Sequence, residues 1–238
     1  AINGTGNVLA NTLYGNNADN KLSGLGGNDT MVGKFGADAF DGGIGNDRVS
    51  YDASDIFGVN ASLLNPSANT FAAAGDTYIS IENLAGSSGN DVLQGNNLAN
   101  TLEGNAFPTL IVDTDHLFGA GGADRLFGYR GDDTLSGDAG DDFLDGGIGS
   151  DILRGGADND TYTLADGSDT VDDSGGTADL VTTTITRSLL AVGLTTIENL
   201  TLLSGNINGT GNNLDNLITG SAGTNALNGG VGSDTLDG

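Results

Sequence analysis

Residues 131–156 read "GDDTLSGDAGDDFLDGGIGSDILRGG", a stretch that combines the most flexible residue type with many like charges. Such a stretch repels itself at neutral pH and, taken alone, favours an unfolded chain. Its residues nevertheless follow a fixed order, because a glycine is repeatedly followed by an aspartate five positions later and an apolar residue two positions after that. This order, rather than the composition, decides the fold.

The whole chain shares this composition. Of its 238 residues, 42 are glycine, and 32 acidic residues against 7 basic ones give a formal net charge of −25. The glycine content is well above the average usage of about 7%. Acidic disordered tails usually contain many glutamates, yet only Glu82, Glu103 and Glu198 occur here. The apolar residues also recur at fixed intervals, so we interpret the chain as folded.

The charge excludes several classes of partner. A protein this negative repels phosphate, which argues against nucleic acid and anionic membrane surfaces. No apolar run is long enough to span a bilayer.

The chain has no cysteine, so it has no disulfide framework and no thiolate metal site, which is compatible with an extracellular location. It opens without a signal-like segment and ends within a repeat, so we expect it to be a piece of a longer protein.

A nine-residue unit repeats along the chain, with glycine first, often glycine fourth, aspartate sixth and an apolar residue eighth. Self-similarity of this kind identifies a solenoid before any strand is assigned. From residue 119 the consecutive units are GAGGADRLF, GYRGDDTLS, GDAGDDFLD, GGIGSDILR and GGADNDTYT.

The repeat divides the chain into five blocks. Residues 1–50 form an N-terminal repeat block, 86–172 a central block with a loop insertion near 104–112, and 209–238 a truncated C-terminal block. Residues 51–85 and 173–208 lack the repeat but alternate apolar and polar residues, which predicts strand-rich rungs of the same solenoid. The motif "IENL" occurs in both of these segments, at 81 and at 197.

The residue types predict an all-β parallel β-roll, or β-solenoid, with Ca²⁺ in the turns. Glycines at fixed places permit tight turning, and the three residues that end each unit suit a very short strand whose middle side chain points inward. Two units then make one rung of about 18 residues, and residues one rung apart lie about 4.8 Å from each other.

In such a coil the sixth-position aspartates stack in two columns, one along each edge. Carboxylates at this spacing require a cation between them, and turn carbonyls add neutral oxygens. An all-oxygen, flexible cage suits Ca²⁺ better than Mg²⁺, and a chain with one histidine and no cysteine is a poor fit for zinc or copper. The predicted metal ligands are Asp29, Asp38, Asp47, Asp91, Asp115, Asp124, Asp133, Asp142, Asp151, Asp160, Asp169 and Asp234.

The units "GGIGNDRVS" and "GGIGSDILR" resemble the G-G-x-G-x-D-x-U-x nonapeptide of the RTX (repeats-in-toxin) family. The resemblance covers about two-thirds of the chain. It implies a parallel β-roll with Ca²⁺ held by the sixth-position aspartates and neighbouring turn carbonyls. It also implies secretion by a type I system and folding outside the cell.

Two departures from the repeat affect the expected number of ions. Asparagine replaces the sixth-position aspartate at several turns, where we expect weak binding or none, because asparagine closes a turn without metal. If the insertion bulges outward, Asp91 stacks on Asp115 and Asn100 on Asp124, so the columns continue. If one ion binds between each stacked pair of aspartates, and at most one between each stacked pair of an aspartate and an asparagine, the chain binds roughly seven to eleven Ca²⁺ ions. These ions would offset most of the negative charge. The replacing residues are Asn11, Asn20, Asn100, Asn216 and Asn225.

No catalytic site is predicted. The single histidine, His116, occupies an outward repeat position, and nearly every aspartate pair is better explained as a metal site than as a glycosidase-type acid pair. Arg125, Arg130 and Arg154 are more consistent with solvated or aspartate-paired side chains than with a site for acidic polysaccharide. The tyrosines are more consistent with packing than with sugar platforms.

The expected function is that of an extracellular or cell-surface module that folds on binding Ca²⁺ after export. It would act structurally or adhesively in a larger secreted or surface protein, with self-association or polysaccharide as possible partners. The alternative is an accessory carbohydrate-binding or stabilising module of a secreted polysaccharide-acting enzyme.

Overall fold

The computed structural model describes residues 1–51, 57–104, 113–165 and 167–238. Nearly all of its strands are two to six residues long and pair in parallel with strands of the neighbouring rungs. Each rung contributes strands to two facing layers. The second residue of each unit's closing triplet points into the narrow space between the layers, as at Leu135 and Leu144, both 0% exposed.

Among the described residues, one layer is a continuous parallel sheet of twelve strands, here called the long sheet. Its strands follow chain order without a break, which means that every rung supplies one strand to it. In order they are Thr12–Tyr14, Thr30–Val32, Arg48–Ser50, Asn83–Ala85, Thr101–Glu103, Arg125–Phe127, Phe143–Asp145, Thr161–Leu164, Leu180–Thr183, Asn199–Leu202, Leu217–Thr219 and Thr235–Asp237.

In the part of the chain that the structure describes, the opposite layer is divided into three sheets. The first contains Asn3–Thr5, Lys21–Gly26, Ala39–Ile44 and Thr77–Ile79. The second contains, in spatial order, Thr170–Val171, Ile152–Ala157, Thr134–Ala139, His116–Phe118, Val92–Gln94, Val59–Ser62 and Thr70–Phe71, of which the last pairs antiparallel with Val59–Ser62. The third contains Arg187–Ser188, Gly209–Thr210 and Leu227–Asn228.

The register between rungs is the one that the nonapeptide predicts. Leu126 pairs with Leu144, and Leu117 pairs with Leu135, so partners lie two repeat units apart. Across the insertion, Leu102 pairs with Leu126. Residues 105–112 of the predicted loop lie outside the described residues, but the rungs on both sides of them stack in register.

The core is one narrow cluster of apolar side chains, to which both facing layers contribute a row. On the long sheet it runs through Leu84, Leu102, Leu126, Leu144, Tyr162, Val181, Leu200 and Ile218, and each of these is 0% exposed. Because each rung adds only about two such side chains, the aspartates at the edges of the core strongly influence stability.

The segments without the repeat also supply strands. Val59–Ser62 pairs with Val92–Gln94, and Leu180–Thr183 pairs with Thr161–Leu164, both in parallel register. A single 3₁₀ turn, Pro66–Ala68, interrupts the strands of the described part. The division of the chain into five blocks stays a prediction. Among the described residues, no helix has the length and apolar character needed to cross a membrane.

Candidate metal centre

Each sixth-position aspartate lies immediately before a strand and points inward. Asp133 precedes Thr134 and Asp142 precedes Phe143, and the core leucine follows two residues after each aspartate. Since side chains alternate between the two faces of a strand, the aspartate and the leucine point to the same side. The carboxyls are therefore buried, and the exposed fractions are 1% for Asp133 and 2% for Asp142.

One oxygen of each carboxylate links successive rungs. Asp133 Oδ1 accepts the backbone N–H of Asp115 at 2.8 Å, and Asp142 Oδ1 accepts that of Asp124 at 2.7 Å. The same contact joins Asn100 to Asp124 and Asp91 to Asp115, at 2.7 and 2.8 Å. The stacking proposed across the insertion is thus present in the structure.

These links form two columns. The first column runs along the N-terminal ends of the long-sheet strands. At two of its steps, Glu82–Asn100 and Glu198–Asn216, the asparagine amide donates to the backbone carbonyl oxygen of the glutamate instead. The column contains Asn11, Asp29, Asp47, Glu82, Asn100, Asp124, Asp142, Asp160, Asp179, Glu198, Asn216 and Asp234. The second column has two parts, Asn20–Asp38–Asp76 and Asp91–Asp115–Asp133–Asp151–Asp169.

The other carboxylate oxygen has no hydrogen-bond partner at most of these aspartates. A buried oxygen without a donor is costly, and each one requires an explanation such as an ion. The atoms concerned are the Oδ2 oxygens of Asp29, Asp38, Asp47, Asp115, Asp124, Asp133, Asp142, Asp160 and Asp179.

The first glycine of each unit leaves a small space beside this oxygen. A methyl group added to Gly24 would lie 2.0 Å from Asp29 Oδ2 and 2.6 Å from the carbonyl oxygen of Gly42, one rung further on. At Gly119 the corresponding distances to Asp124 Oδ2 and Gly137 O are 2.3 and 2.7 Å. A carboxylate oxygen and a backbone carbonyl therefore converge on the same space. This all-oxygen, flexible donor set fits Ca²⁺.

Burial also changes the acidity of these groups. It raises the pKa of Asp115 to about 9 and the pKa values of Asp133, Asp142 and Asp160 to about 7, against the pull of the backbone N–H donors. Neighbouring carboxylates raise them further. Without a cation, these four carboxyls therefore keep their protons to a higher pH than an exposed aspartate does.

At Asp91 both carboxylate oxygens accept hydrogen bonds. Oδ2 accepts the N–H of Ser87 at 2.6 Å, and Oδ1 accepts the hydroxyl of Ser87 and the N–H of Val59. Asp169 and Asp234, by contrast, are only half-buried. The structure places Asp91 in its column, but with an oxygen environment that does not require an ion.

Several asparagine turns are closed in the same way. Asn11 Oδ1 accepts the N–H of Asn7, and Asn100 Oδ1 accepts that of Asn96, at 2.6 Å in both. The second-position side chain in turn accepts the backbone N–H of the residue two positions later, as Asn96 Oδ1 does from Leu98. We call these self-capped turns. Their sequence signal is asparagine or serine at the second position of the unit, which the repeat analysis overlooked.

Asn20 shows how an amide substitutes for a cation. Its Nδ2 donates to the carbonyl of Asn16 and to Asp38 Oδ1, both at 2.8 Å, and contacts the carbonyl oxygens of Ala18 and Gly33. A nitrogen surrounded by oxygens occupies the position where an aspartate turn leaves an unpartnered carboxylate oxygen.

Four further acids enter the columns from the segments without the repeat. Glu82 Oε2 accepts the N–H of Asp47 at 2.8 Å, and Glu198 Oε2 accepts that of Asp179 at 2.9 Å. In the same way, Asp76 Oδ1 accepts the N–H of Asp38, and Asp179 Oδ1 accepts the N–H of Asp160. The repeated "IENL" motif was a visible signal for the glutamates.

The fifth-position side chains form an outer ladder that sequence reasoning did not identify. Asn28 Oδ1 accepts the N–H of Asn46 at 3.1 Å, Asp132 accepts that of Ser150 at 2.9 Å, and Asp141 accepts that of Asn159 at 2.9 Å. These contacts link successive turns at the solvent side without a metal ion.

The remaining candidate residues lie outside the columns. His116 is exposed, as its repeat position predicts. Arg154 pairs with Asp172 at 3.3 Å, whereas Arg125 lies over the rings of Phe127 and Phe143.

A sequence model of the RTX calcium-binding nonapeptide repeat, which represents four copies of the unit, matches most of the repeat-containing residues. The matched ranges are 5–40, 14–49, 80–107, 113–144, 136–171 and 210–238, which together cover more than half of the chain. A search among curated proteins found no match.

Proposed function

Because this chain belongs to the RTX calcium-binding nonapeptide repeat family, we propose that it is an extracellular module whose β-roll folds when Ca²⁺ binds after export. The repeats make it a structural calcium-binding module. In our proposal it serves a larger secreted or surface protein as a rigid structural or adhesive element, and a type I system exports it. The twelve aspartates identified from the sequence are the proposed ligands.

The unpartnered carboxylate oxygens are the observation that supports this proposal. They lie in files along the core. Burial favours the protonated, neutral form of a carboxyl, whereas a bound cation favours the charged carboxylate. At low calcium the charge of −25 favours an expanded chain, which suits passage through an export channel. Where calcium is millimolar, its binding free energy becomes folding free energy.

A calcium titration of the EDTA-treated chain tests the proposal. Far-ultraviolet circular dichroism is expected to show one cooperative transition from coil to β-structure, and calorimetry to count roughly seven to eleven ions. Magnesium at the same concentration serves as the control and is expected to leave the chain unfolded. A chain that is already folded at neutral pH without calcium, or that takes up no calcium, would contradict the proposal.

An aromatic cluster on the outer face of the long sheet supports a second candidate, carbohydrate binding. The ring of Phe127 lies 5.6 Å from that of Phe143 and 6.1 Å from that of Tyr129. The guanidinium of Arg125 lies 4.4 Å from the centre of the Phe143 ring. Flat apolar faces with polar groups at their edges suit a sugar ring.

The polar groups beside this cluster favour a neutral saccharide. Arg48 pairs with Glu103 at 2.5 Å, and Tyr129 donates its hydroxyl to Glu103 at 3.3 Å. Cavities of about 230 and 90 Å³ adjoin these residues, the smaller between Phe127, Tyr129 and Asp145. Two arginines and two carboxylates leave the cluster without net charge, while the rest of the chain repels polyanions.

Replacement of Phe127 by alanine is expected to weaken retention on neutral polysaccharide about tenfold, equivalent to about 1.4 kcal/mol. Affinity electrophoresis of the calcium-loaded chain measures the retention. Phe35→Ala, at a half-exposed ring in a turn, is the matched control and leaves retention unchanged. Equal retention of both variants and the parent chain would rule out this cluster as a binding site.

A further inference from the structure

Three carboxyls meet where the central repeat block joins the next segment without the repeat, residues 173–208. One oxygen from each of Asp160, Asp173 and Asp179 lies within 4.8 Å of the others. Asp160 and Asp179 are neighbours in the first column, whereas Asp173 belongs to neither column. The residues matched by the nonapeptide model stop at 171 and resume at 210, so Asp173 and Asp179 lie between matched ranges.

Each carboxyl uses one oxygen within the protein and leaves the other without a partner. Asp160 Oδ1 accepts the N–H of Asp142 at 2.9 Å, and Asp179 Oδ1 accepts that of Asp160 at 2.7 Å. Asp173 Oδ1 accepts the hydroxyl of Tyr162 at 3.0 Å. The Oδ2 atoms of all three carboxyls have no hydrogen-bond partner. Asp160 is 1% exposed and Asp179 is 0% exposed, so water does not solvate these oxygens.

Neutral oxygens complete the surroundings. A methyl group added to Gly155 would lie 2.0 Å from Asp160 Oδ2 and 2.1 Å from the Tyr162 hydroxyl. One added to Gly176 would lie 2.4 Å from Asp179 Oδ2 and 2.5 Å from the carbonyl oxygen of Asp158. The Tyr162 hydroxyl is held in place because it also accepts the N–H of Gly155 at 3.0 Å.

No basic side chain neutralises the cluster through the contacts described. Arg154, in the strand before Asp160, pairs instead with Asp172, whose side chain is exposed. Three carboxylates crowded around one space without a cation would repel each other strongly, since the medium around buried groups screens charges poorly.

We propose that Asp160, Asp173 and Asp179 bind one Ca²⁺ ion more tightly than the nonapeptide turns do. A turn offers carboxylates from column neighbours, and this cluster adds a third carboxylate, which raises affinity through ligand charge. The ion connects the last rung of the central block to the first rung of the following segment. This inference relies on the proposed calcium-dependent function for the identity of the cation.

Terbium luminescence tests the proposal, because Tb³⁺ takes oxygen ligands like Ca²⁺ and emits when a nearby tyrosine is excited. The chain has no tryptophan, and Tyr162 lies at the cluster. In the first equivalent of Tb³⁺ added to the full chain, we expect tyrosine-sensitised emission that Ca²⁺ displaces. Asp173→Asn is expected to remove this early emission and to weaken the tightest Ca²⁺ site measured by calorimetry by about ten- to a hundredfold.

Asp172→Asn is the matched control, because this exposed neighbour lies outside the cluster. This variant should retain the tyrosine-sensitised emission in the first equivalent of Tb³⁺. Tyr162→Phe provides a test that does not depend on how Asp173→Asn folds, since it removes the sensitiser and should abolish early emission. Persistent early emission in the Tyr162→Phe chain, or an unchanged tightest site in a folded Asp173→Asn chain, would overturn the proposal. A parent chain that binds no calcium would instead refute the proposed function.

Discussion

In EDTA the chain is expected to be unfolded at pH 8 and to regain its β-structure as the pH is lowered to about 5. The reason is the raised pKa of the buried carboxyls, which is about 7 for Asp91, Asp133, Asp142 and Asp160 and about 9 for Asp115. In the unfolded chain an aspartate has a pKa of about 3.9.

The direction of the effect follows from proton uptake. Between the unfolded and folded pKa values, the folded chain binds more protons than the unfolded chain, so the free energy of unfolding falls as the pH rises. This contribution is complete below about pH 4 and is lost as the pH rises through about 7 and, for Asp115, about 9. Each pKa unit corresponds to about 1.4 kcal/mol, so several carboxyls together outweigh a typical net stability of about 5–15 kcal/mol.

Circular dichroism and urea unfolding of the metal-free chain between pH 5 and pH 8 measure this dependence, at a distance from the isoelectric point near 4.1. In millimolar Ca²⁺ the dependence is expected to reverse, because protons compete with the ion for the same oxygens. A metal-free chain whose unfolding free energy rises between pH 5 and pH 8 would show that the columns are stabilised by contacts other than protons or cations.

Replacement of Asn20 by aspartate is expected to convert a metal-free turn into a calcium-dependent one. The amide nitrogen of Asn20 donates to surrounding oxygens, and the residue is 4% exposed. A carboxylate in its place has no N–H to donate to those oxygens and is a buried charge without a partner. Until a cation binds, this lowers the free energy of unfolding by about 3–5 kcal/mol. The calcium concentration at half-folding should therefore increase, and calorimetry should count about one more ion at saturation.

Asn17→Asp is the control for Asn20→Asp, because Asn17 lies in the same turn with its side chain exposed. It adds the same charge without burying it, so the folding midpoint and the number of ions should remain those of the parent chain. If Asn20→Asp also leaves both unchanged, the amide of Asn20 does not occupy a cation position.

The sequence predicted the repeat-containing rungs well because their register depends on local spacing. Two nine-residue units bring Asp115 beside Asp133 and Leu117 beside Leu135, and these pairings are observed. The stacking of Asp91 on Asp115 was also predicted, since the nine-residue units continue after the insertion if its extra residues bulge outward.

The sequence predicted less where the spacing changes. Asp38 stacks on Asp76, and Asp47 on Glu82, after intervals that are not multiples of the repeat. The self-capped state of Asp91 depends on the hydroxyl and N–H of Ser87, which a pattern centred on the sixth position does not include.

The sequence by itself determined the length of a rung, the inward leucines and the two files of aspartates, because these follow from a fixed period of two units. The tertiary structure decided which irregular segments complete those files, that the long sheet continues while the opposite layer divides, and that Asp173 meets Asp160 and Asp179. The physical reason is that parallel strand pairing joins residues through space. Connections of unequal length therefore place side chains together at distances along the chain that no repeat period specifies.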